Sequence, residues 1–184
     1  AIEKSERNRN YLKEILREKP HNLTYEGERI LSSLSPILET PHEAYNMAKL
    51  ADMVFPSFEV DGKTYPLGYS LFEDDYQYEK DSKIRRKAFE TFSEEIAKYE
   101  NTTACLYNAQ CRKEKIISEL RGYDSVFDYL LFEQNVDRNM YDRQIDNIME
   151  KLSPHMRRYA RLKKKVLGLD EMTYADLLVP LDSD

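Results

Sequence analysis

The sequence predicts a mainly α-helical protein, a bundle-like array of helices with one long helix and one small β-hairpin. Only five glycines and seven prolines occur among 184 residues, and charged residues make up 34% of the chain. Apolar residues recur at three- and four-residue intervals along most of the sequence, which is the spacing of amphipathic helices. One Asp-Gly pair separates two short runs of β-forming residues. We expect residues 1–184 to form a single helical region.

The first two helices are predicted in the N-terminal 35 residues. One extends from about Glu6 to Lys19 and ends before Pro20. The second extends from about Thr24 to Ser33, because Pro36 follows closely and disfavours helix in the residue before it.

Residues 40–47, TPHEAYNM, resemble half of the HExxH motif, in which two histidines four residues apart bind zinc. Asn46 stands in place of the second histidine, and its amide oxygen is a poor zinc ligand. Thr40 suits a helix N-cap, and Glu43 is placed to complete a capping box with it. We therefore interpret the stretch, including His42, as a helix start that continues to about residue 54.

Residues 57–71, SFEVDGKTYPLGYSL, predict the hairpin. Asp61-Gly62 is a favoured pair for a two-residue turn, and Pro66 limits the second strand because proline cannot donate to a strand ladder.

The longest periodic stretch begins at Asp81 or Ser82 and continues to Arg121 without glycine or proline. It predicts one helix of about forty residues, with Gly122 as its left-handed C-cap. Three further helices are predicted in SVFDYLLFEQ, RNMYDRQIDNIMEKL and PHMRRYARLKKKVLGLD. The last begins at Pro154 and ends at Gly168.

The charge pattern argues against nucleic-acid binding, because the net charge is −6 and such binding depends on neutralising phosphates. A local basic run is interpreted as a solvated helix face; its members are Arg157, Arg158, Arg161, Lys163, Lys164 and Lys165. Apolar runs are too short for a membrane span. Cys105 and Cys111 are too far apart on a helix for a disulfide, which predicts free thiols and a cytoplasmic protein. Fourteen tyrosines are interpreted as half-buried at helix contacts, with a peptide-binding surface as the alternative.

The sequence contains no recognisable catalytic arrangement. His21, His42 and His155 are the only histidines, and none has a second histidine four residues away. Glycine-rich phosphate loops and nucleophile elbows are also missing from the sequence. We predict no catalytic, cofactor-binding or metal-binding residue in this chain.

Several stretches, in this order, resemble oligoendopeptidase F, a zinc metallopeptidase family related to thimet oligopeptidase. They are HNLTYEGERIL (21–31), KIRRKAFETF (83–92) after the hairpin, NTTACL (101–106), RGYDSVFDYLL (121–131) and KKVLGLDEMTYADLLVPL (164–181). The resemblance implies an enzyme that hydrolyses short peptides in a channel between helical walls, with zinc polarising the scissile carbonyl. In that family the HExxH helix and the third zinc ligand follow the stretch that resembles YADLLVP.

The resemblance therefore implies that this chain is a non-catalytic helical part, inactive alone, that precedes the zinc-binding region of the same polypeptide. Zinc and short peptide substrates would belong to the full-length enzyme, with no nucleic-acid or membrane partner. An independent helical module that binds proteins or peptides is the alternative, because tyrosines and the basic run could also form a binding surface.

Overall fold

The computed structural model describes residues 7–181 and divides them into two compact units. The first unit comprises residues 7–43 and 106–142, and the second comprises residues 44–105 and 143–181. The predicted start of the first helix, Glu6, lies outside the described residues.

The described elements are helices apart from one antiparallel pair of strands. The α-helices are α1 (Arg9–Glu18), α2 (Tyr25–Leu38), α3 (Thr40–Met47), α4 (Tyr69–Asp74), α5 (Ser82–Ala97), α6 (Glu100–Leu120), α7 (Val126–Glu133), α8 (Arg138–Asn147) and α9 (Ser153–Val166). The strands are β1 (Phe58–Val60) and β2 (Lys63–Tyr65). Short 3-10 turns occupy Lys19–His21, Tyr76–Tyr78 and Tyr174–Asp176, and π-helical turns occupy Ala48–Asp52 and Ile148–Leu152. The mainly α fold with one hairpin is confirmed.

The hairpin has the predicted turn. Phe58 pairs with Tyr65 and Val60 with Lys63, so Asp61 and Gly62 form the two-residue connection. Both have positive φ, +49° and +78°, as a type I′ turn requires. The second strand ends immediately before Pro66.

An aromatic core in the second unit joins the hairpin to α4 and α5. Its buried members are Phe58, Phe72, Tyr76, Ala88 and Phe92. The Phe72 and Phe92 rings are stacked with their centroids 4.0 Å apart, and the Tyr76 hydroxyl donates to the carbonyl of Pro66 at 2.8 Å. The hydroxyl bond satisfies the polar end of a buried ring, so the cluster packs without an unpaired phenol.

The helix predicted from residue 82 to 121 is instead two helices, α5 and α6, because the chain turns at Lys98 and Tyr99. Their backbone N–H groups donate to the carbonyls three residues earlier, of Glu95 and Ile96. The Tyr99 hydroxyl also donates to the carbonyl of Asp52 at 3.2 Å. A tertiary contact of this kind leaves no mark on helical periodicity, so the sequence did not reveal the break.

The predicted end of α2 and the predicted capping box are both wrong. Pro36 lies inside α2, which continues to Leu38. Thr40 is itself helical, and the N–H groups of His42 and Glu43 donate to the carbonyl of Glu39. Glu39 therefore occupies the position that was predicted for Thr40. Only this one turn residue separates the two helices, so Glu39 is both the C-cap of α2 and the residue that precedes α3.

The helical backbone continues from α8 through the π-helical turn Ile148–Leu152 into α9. Pro154 has no N–H to donate, and a wider turn before a proline is a common way to accommodate that missing bond. The predicted boundary at Pro154 is therefore a local distortion within a helical run.

The predicted glycine caps are confirmed. Gly122 has φ +71° and Gly168 has φ +63°. After α6 the N–H of Tyr123 donates to the carbonyl of Ser118, and that of Gly122 to Glu119, which is the Schellman arrangement. These bonds satisfy helix carbonyls that would otherwise lack donors.

Candidate functional site

A buried ion pair joins α5 to the segment that follows α9 in the second unit. The side chain of Arg85 is 1% exposed and that of Asp176 is 0% exposed. The Nε of Arg85 donates to Oδ1 of Asp176 at 3.0 Å, and Nη2 donates to the same oxygen. The Nη1 atom donates to the carbonyls of Glu79 and Lys80. The guanidinium is thus paired on each of its nitrogens.

The second carboxylate oxygen of Asp176 is also satisfied. It accepts from the Thr173 N–H at 2.9 Å, the Thr173 hydroxyl at 2.7 Å and Nη2 of Arg86 at 3.1 Å. Thr173 and Asp176 form a capping box at the 3-10 turn Tyr174–Asp176. Arg86 also donates to a carboxylate oxygen of Asp170 at 2.8 Å and to the carbonyl of Glu171 at 2.9 Å. The two arginines therefore hold one segment, residues 170–176, against α5.

These contacts determine the protonation of Asp176. Burial alone would raise its pKa, but the hydrogen bonds from Arg85, Thr173 and Arg86 outweigh burial and lower the pKa to about 2. The carboxylate is therefore ionised at neutral pH. A carboxylate with so low a pKa binds a proton weakly and is a poor general base, and arginine stays protonated. This pair is therefore suited to holding the structure together rather than to proton transfer.

Lys163 of α9 adds a second buried cation. Its side chain is 2% exposed, and Nζ donates to the carbonyl of Leu177. Burial and the nearby charge of Arg85 lower the pKa of Lys163, while Asp176 opposes that shift. The prediction of a solvated face is therefore wrong for Lys163, because its long side chain turns inward to bind a backbone carbonyl.

We call Arg85, Arg86, Lys163, Thr173 and Asp176 the arginine–aspartate clamp. Beside it lies a mostly apolar pocket of about 270 Å³. Its lining includes Phe72, Tyr76, Phe89, Tyr174, Leu177 and Leu178. The clamp fixes both the backbone of residues 170–177 and one wall of this pocket.

In the first unit, His21 lies in an aromatic cluster. Its ring stacks on Tyr123 with centroids 3.7 Å apart and meets Phe132 edge-on at 5.0 Å. Its Nδ1 is 3.0 Å from the carbonyl of Arg121, and the Arg17 guanidinium lies 3.6 Å above the Phe132 ring. These contacts connect α1, the turn after α6 and α7.

Arg121 and Glu28 link the same region to α2. Two guanidinium nitrogens of Arg121 donate to the two carboxylate oxygens of Glu28 at 3.0 and 3.2 Å. The Leu23 N–H also donates to Glu28, at 3.1 Å. The hydrogen bond from Arg121, and then that from Leu23, lower the pKa of Glu28.

The structure does not bring the three histidines together as metal ligands. His21 belongs to the aromatic cluster, while His42 lies in α3 and His155 is exposed in α9. Between residues 7 and 181, no group of three histidine, cysteine or acidic side chains is arranged to hold a metal ion. The side chains that the structure describes thus do not fit a zinc site. Cys105 and Cys111 are exposed free thiols, as predicted.

The prediction of half-buried tyrosines is correct for some of them and wrong for others. Some are buried or half-buried, such as Tyr76 and Tyr123, whereas others are largely exposed, such as Tyr25 and Tyr174 at 80%. In the portion of the chain that the structure describes, no helix is long and apolar enough to cross a membrane.

Sequence reasoning missed the clamp, although it left one signal. Arg85 precedes Ala88 by three residues and Phe92 by seven, so it occupies an apolar position of the α5 pattern. A charged residue on a buried helix face requires a buried partner of opposite charge. The sequence did not indicate which of the 34 acidic residues would be that partner.

The fold and clamp occur in a chain that belongs to peptidase family M3, because that family's sequence profile matches residues 76–177. A second profile, described as Oligopeptidase F, matches residues 2–55.

Similar proteins carry the same description. The chain is 32% identical over 170 residues to an oligoendopeptidase F homolog of Borreliella burgdorferi, covering 92% of this chain and 28% of that protein. It is 29% identical over 174 residues to oligopeptidase PepF of Bacillus subtilis, covering 94% of this chain and 26% of that protein. The chain thus spans less than a third of these relatives.

A solved structure shares the fold. Oligoendopeptidase-F from Enterococcus faecium superposes with a TM-score of 0.87 at 23% identity, covering 95% of this chain and 34% of that one. The helices, the hairpin and their connections therefore form an arrangement that also occurs within a larger peptidase.

Proposed function

We propose that this chain is a helical, non-catalytic region of a zinc-dependent oligopeptidase, which precedes the zinc-binding region in the same polypeptide. Family membership supports the peptidase class. The share of the relatives that the chain spans, 28% and 26%, supports a part of a longer enzyme. The complete enzyme would hydrolyse short peptides, and this region would form part of the helical wall of its substrate channel.

The arginine–aspartate clamp is the observation that carries this proposal. Residues 174–180, YADLLVP, contain Asp176, whose carboxylate is held by Arg85 and Arg86. In oligoendopeptidase F, the stretch that resembles these residues leads into the catalytic region. A rigid attachment to α5 would set the direction in which the chain enters that region. Because catalytic groups must be held within a fraction of an ångström, such an attachment would affect activity without touching substrate.

Zinc would be held by residues outside this chain, since the described side chains offer no suitable group of ligands. Within this region, side chains would position backbone and line the channel. A wall of packed helices would admit short peptides and exclude folded proteins by size.

The reading frame that encodes the chain tests this proposal. A longer frame with an HExxH segment after residue 184, followed by a more distant glutamate, would support it. A stop codon directly after residue 184 would contradict it and favour an independent binding module.

A further inference from the structure

Lys163 carries a buried positive charge without a carboxylate of its own. Its side chain is 2% exposed, and Nζ donates to the carbonyl of Leu177 and lies 5.4 Å from the centroid of the Tyr159 ring. The nearby carboxylate of Asp176 is held by the two arginines of the clamp, and within residues 7–181 no acidic side chain forms an ion pair with Lys163. The charge of Lys163 therefore depends on a neutral carbonyl and an aromatic ring.

This arrangement costs stability. Burial takes the ammonium group out of water, and one carbonyl does not replace its hydration. Burial and the charge of Arg85 lower the pKa of Lys163, although Asp176 opposes that shift. A lysine whose folded-state pKa lies below its ordinary value destabilises the fold while it is charged. Methionine would fill much of the same space without a charge, so stability alone does not explain the lysine.

The bond to Lys163 determines which side of residues 175–179 faces the interior. The buried side chains of this segment are Ala175, Asp176 and Val179, and the partly exposed ones are Leu177 and Leu178. Leu177 is 41% exposed, yet its carbonyl accepts from a buried ammonium group. At this residue, therefore, the backbone is directed inward and the apolar side chain is directed partly into solvent.

A competing arrangement of the same segment is available. Leu177 and Leu178 both border the mostly apolar pocket of about 270 Å³ beside the clamp. Turning Leu177 further into this pocket would bury apolar surface, which is favourable by itself. The same rotation would withdraw the Leu177 carbonyl from Lys163 and leave a buried ammonium group without an acceptor. Loss of the acceptor is the larger effect, because an unpaired buried charge costs more than a partly exposed leucine gains.

We infer that Lys163 is a positioning residue, whose buried ammonium group selects one backbone arrangement of residues 177–181 and so the direction in which the polypeptide continues. The inference rests on the proposed function, because only the longer enzyme has a catalytic region to position. It deepens that function by assigning a second attachment after the clamp, one that acts on a backbone carbonyl. Lys163 disfavours the competing arrangement at some expense in stability.

Hydrogen exchange tests this attachment in the 184-residue chain. The N–H of Leu177 donates to the carbonyl of Tyr174 at 3.2 Å, and a rotation of Leu177 would break that bond. Lys163→Met should therefore raise the exchange rate of the Leu177 amide about tenfold. The urea midpoint of the same variant should be unchanged or higher. Lys164→Met alters an exposed neighbour in the same way and should leave the Leu177 exchange rate unchanged.

Two results would overturn the inference. One is a Leu177 exchange rate in Lys163→Met equal to that of the wild type. The other is a Lys163→Met chain that does not fold, or whose urea midpoint falls well below that of Lys164→Met. That result would show that Lys163 is retained for stability.

Kinetics of the extended polypeptide test the consequence for catalysis. Lys163→Met should lower kcat about tenfold with KM unchanged, because the catalytic groups are displaced while peptide binding is preserved. Lys164→Met should change neither constant. An unchanged kcat in Lys163→Met, beside an active wild type, would overturn the positioning role. An inactive wild type would instead contradict the proposed function, while the exchange measurement on the 184-residue chain would still test the attachment.

Discussion

Replacing Asp176 with asparagine should destabilise the chain strongly. Asparagine preserves the shape of the side chain but removes the charge that Arg85, 1% exposed, requires. Both carboxylate oxygens of Asp176 accept hydrogen bonds, one from Arg85 and the other from Thr173 and Arg86. Whichever oxygen the asparagine NH₂ group replaces, a donor would therefore face another donor. Leaving a buried charge without its partner costs about 3–5 kcal/mol. We expect that loss in the free energy of unfolding at pH 7, measured by urea denaturation with circular dichroism.

The pH dependence of stability gives a second estimate of what the Asp176 carboxylate contributes. The pKa of Asp176 is about 2 in the folded chain, against an ordinary value of 3.8. This group therefore stabilises the fold above about pH 5, and that contribution of about 2.5 kcal/mol is lost as pH falls toward 2. Asp176→Asn should lack this part of the acid destabilisation.

A double variant separates the charge from the packing. Arg85→Met with Asp176→Leu removes both charges together and should be more stable than Asp176→Asn alone, because the buried guanidinium of Arg85 is no longer left without its partner. An Asp176→Asn variant within about 1 kcal/mol of the wild type, with unchanged acid sensitivity, would refute the reasoning about the clamp.

The remaining predictions concern helix ends and zinc. Gly122→Ala should lower the free energy of unfolding by about 1 kcal/mol, because alanine is strained at φ +71°. Gly68→Ala should be nearly neutral, because the backbone of Gly68 is extended. Thermal or urea denaturation compares the two variants, and equal stability would contradict the cap. Thr24→Ala should cost about 0.5–2 kcal/mol, because its hydroxyl accepts from the Gly27 N–H, while Thr40→Ala should cost less because Thr40 lies within a helix. A larger loss of stability in Thr40→Ala than in Thr24→Ala would contradict the assignment of Thr40 to the helix interior. Elemental analysis after dialysis should find no stoichiometric zinc, and chelator should not change the melting temperature; one tightly held zinc per chain would contradict the absence of a site.

Local rules were sufficient where a short sequence determines its own conformation. The Asp61-Gly62 turn and the Gly122 cap depend on positive φ, which few other residues adopt readily, and both were predicted correctly. Periodicity also identified most of the helical segments, but not α4 (Tyr69–Asp74), which begins within the stretch assigned to the hairpin.

Contacts between distant segments were beyond those rules. The chain turns at Tyr99, whose hydroxyl contacts the backbone of Asp52, 47 residues earlier. Asp176 meets Arg85 across 91 residues. Lys163 stands in a run of three lysines in the sequence, and in the fold its Nζ binds the Leu177 carbonyl, 14 residues later. These features depend on tertiary packing, which overrides the pattern of neighbouring residues.

Cleavage of a fluorescence-quenched short peptide tests the central claim most directly. The 184-residue chain should show no cleavage with or without added zinc. The polypeptide encoded by the same reading frame, extended to include an HExxH segment, should cleave the peptide and lose that activity with a chelator. Arg85→Met in the extended polypeptide should lower the rate, while Arg157→Glu should not. Zinc-dependent cleavage by the 184-residue chain alone, or no cleavage by the extended polypeptide, would contradict the account.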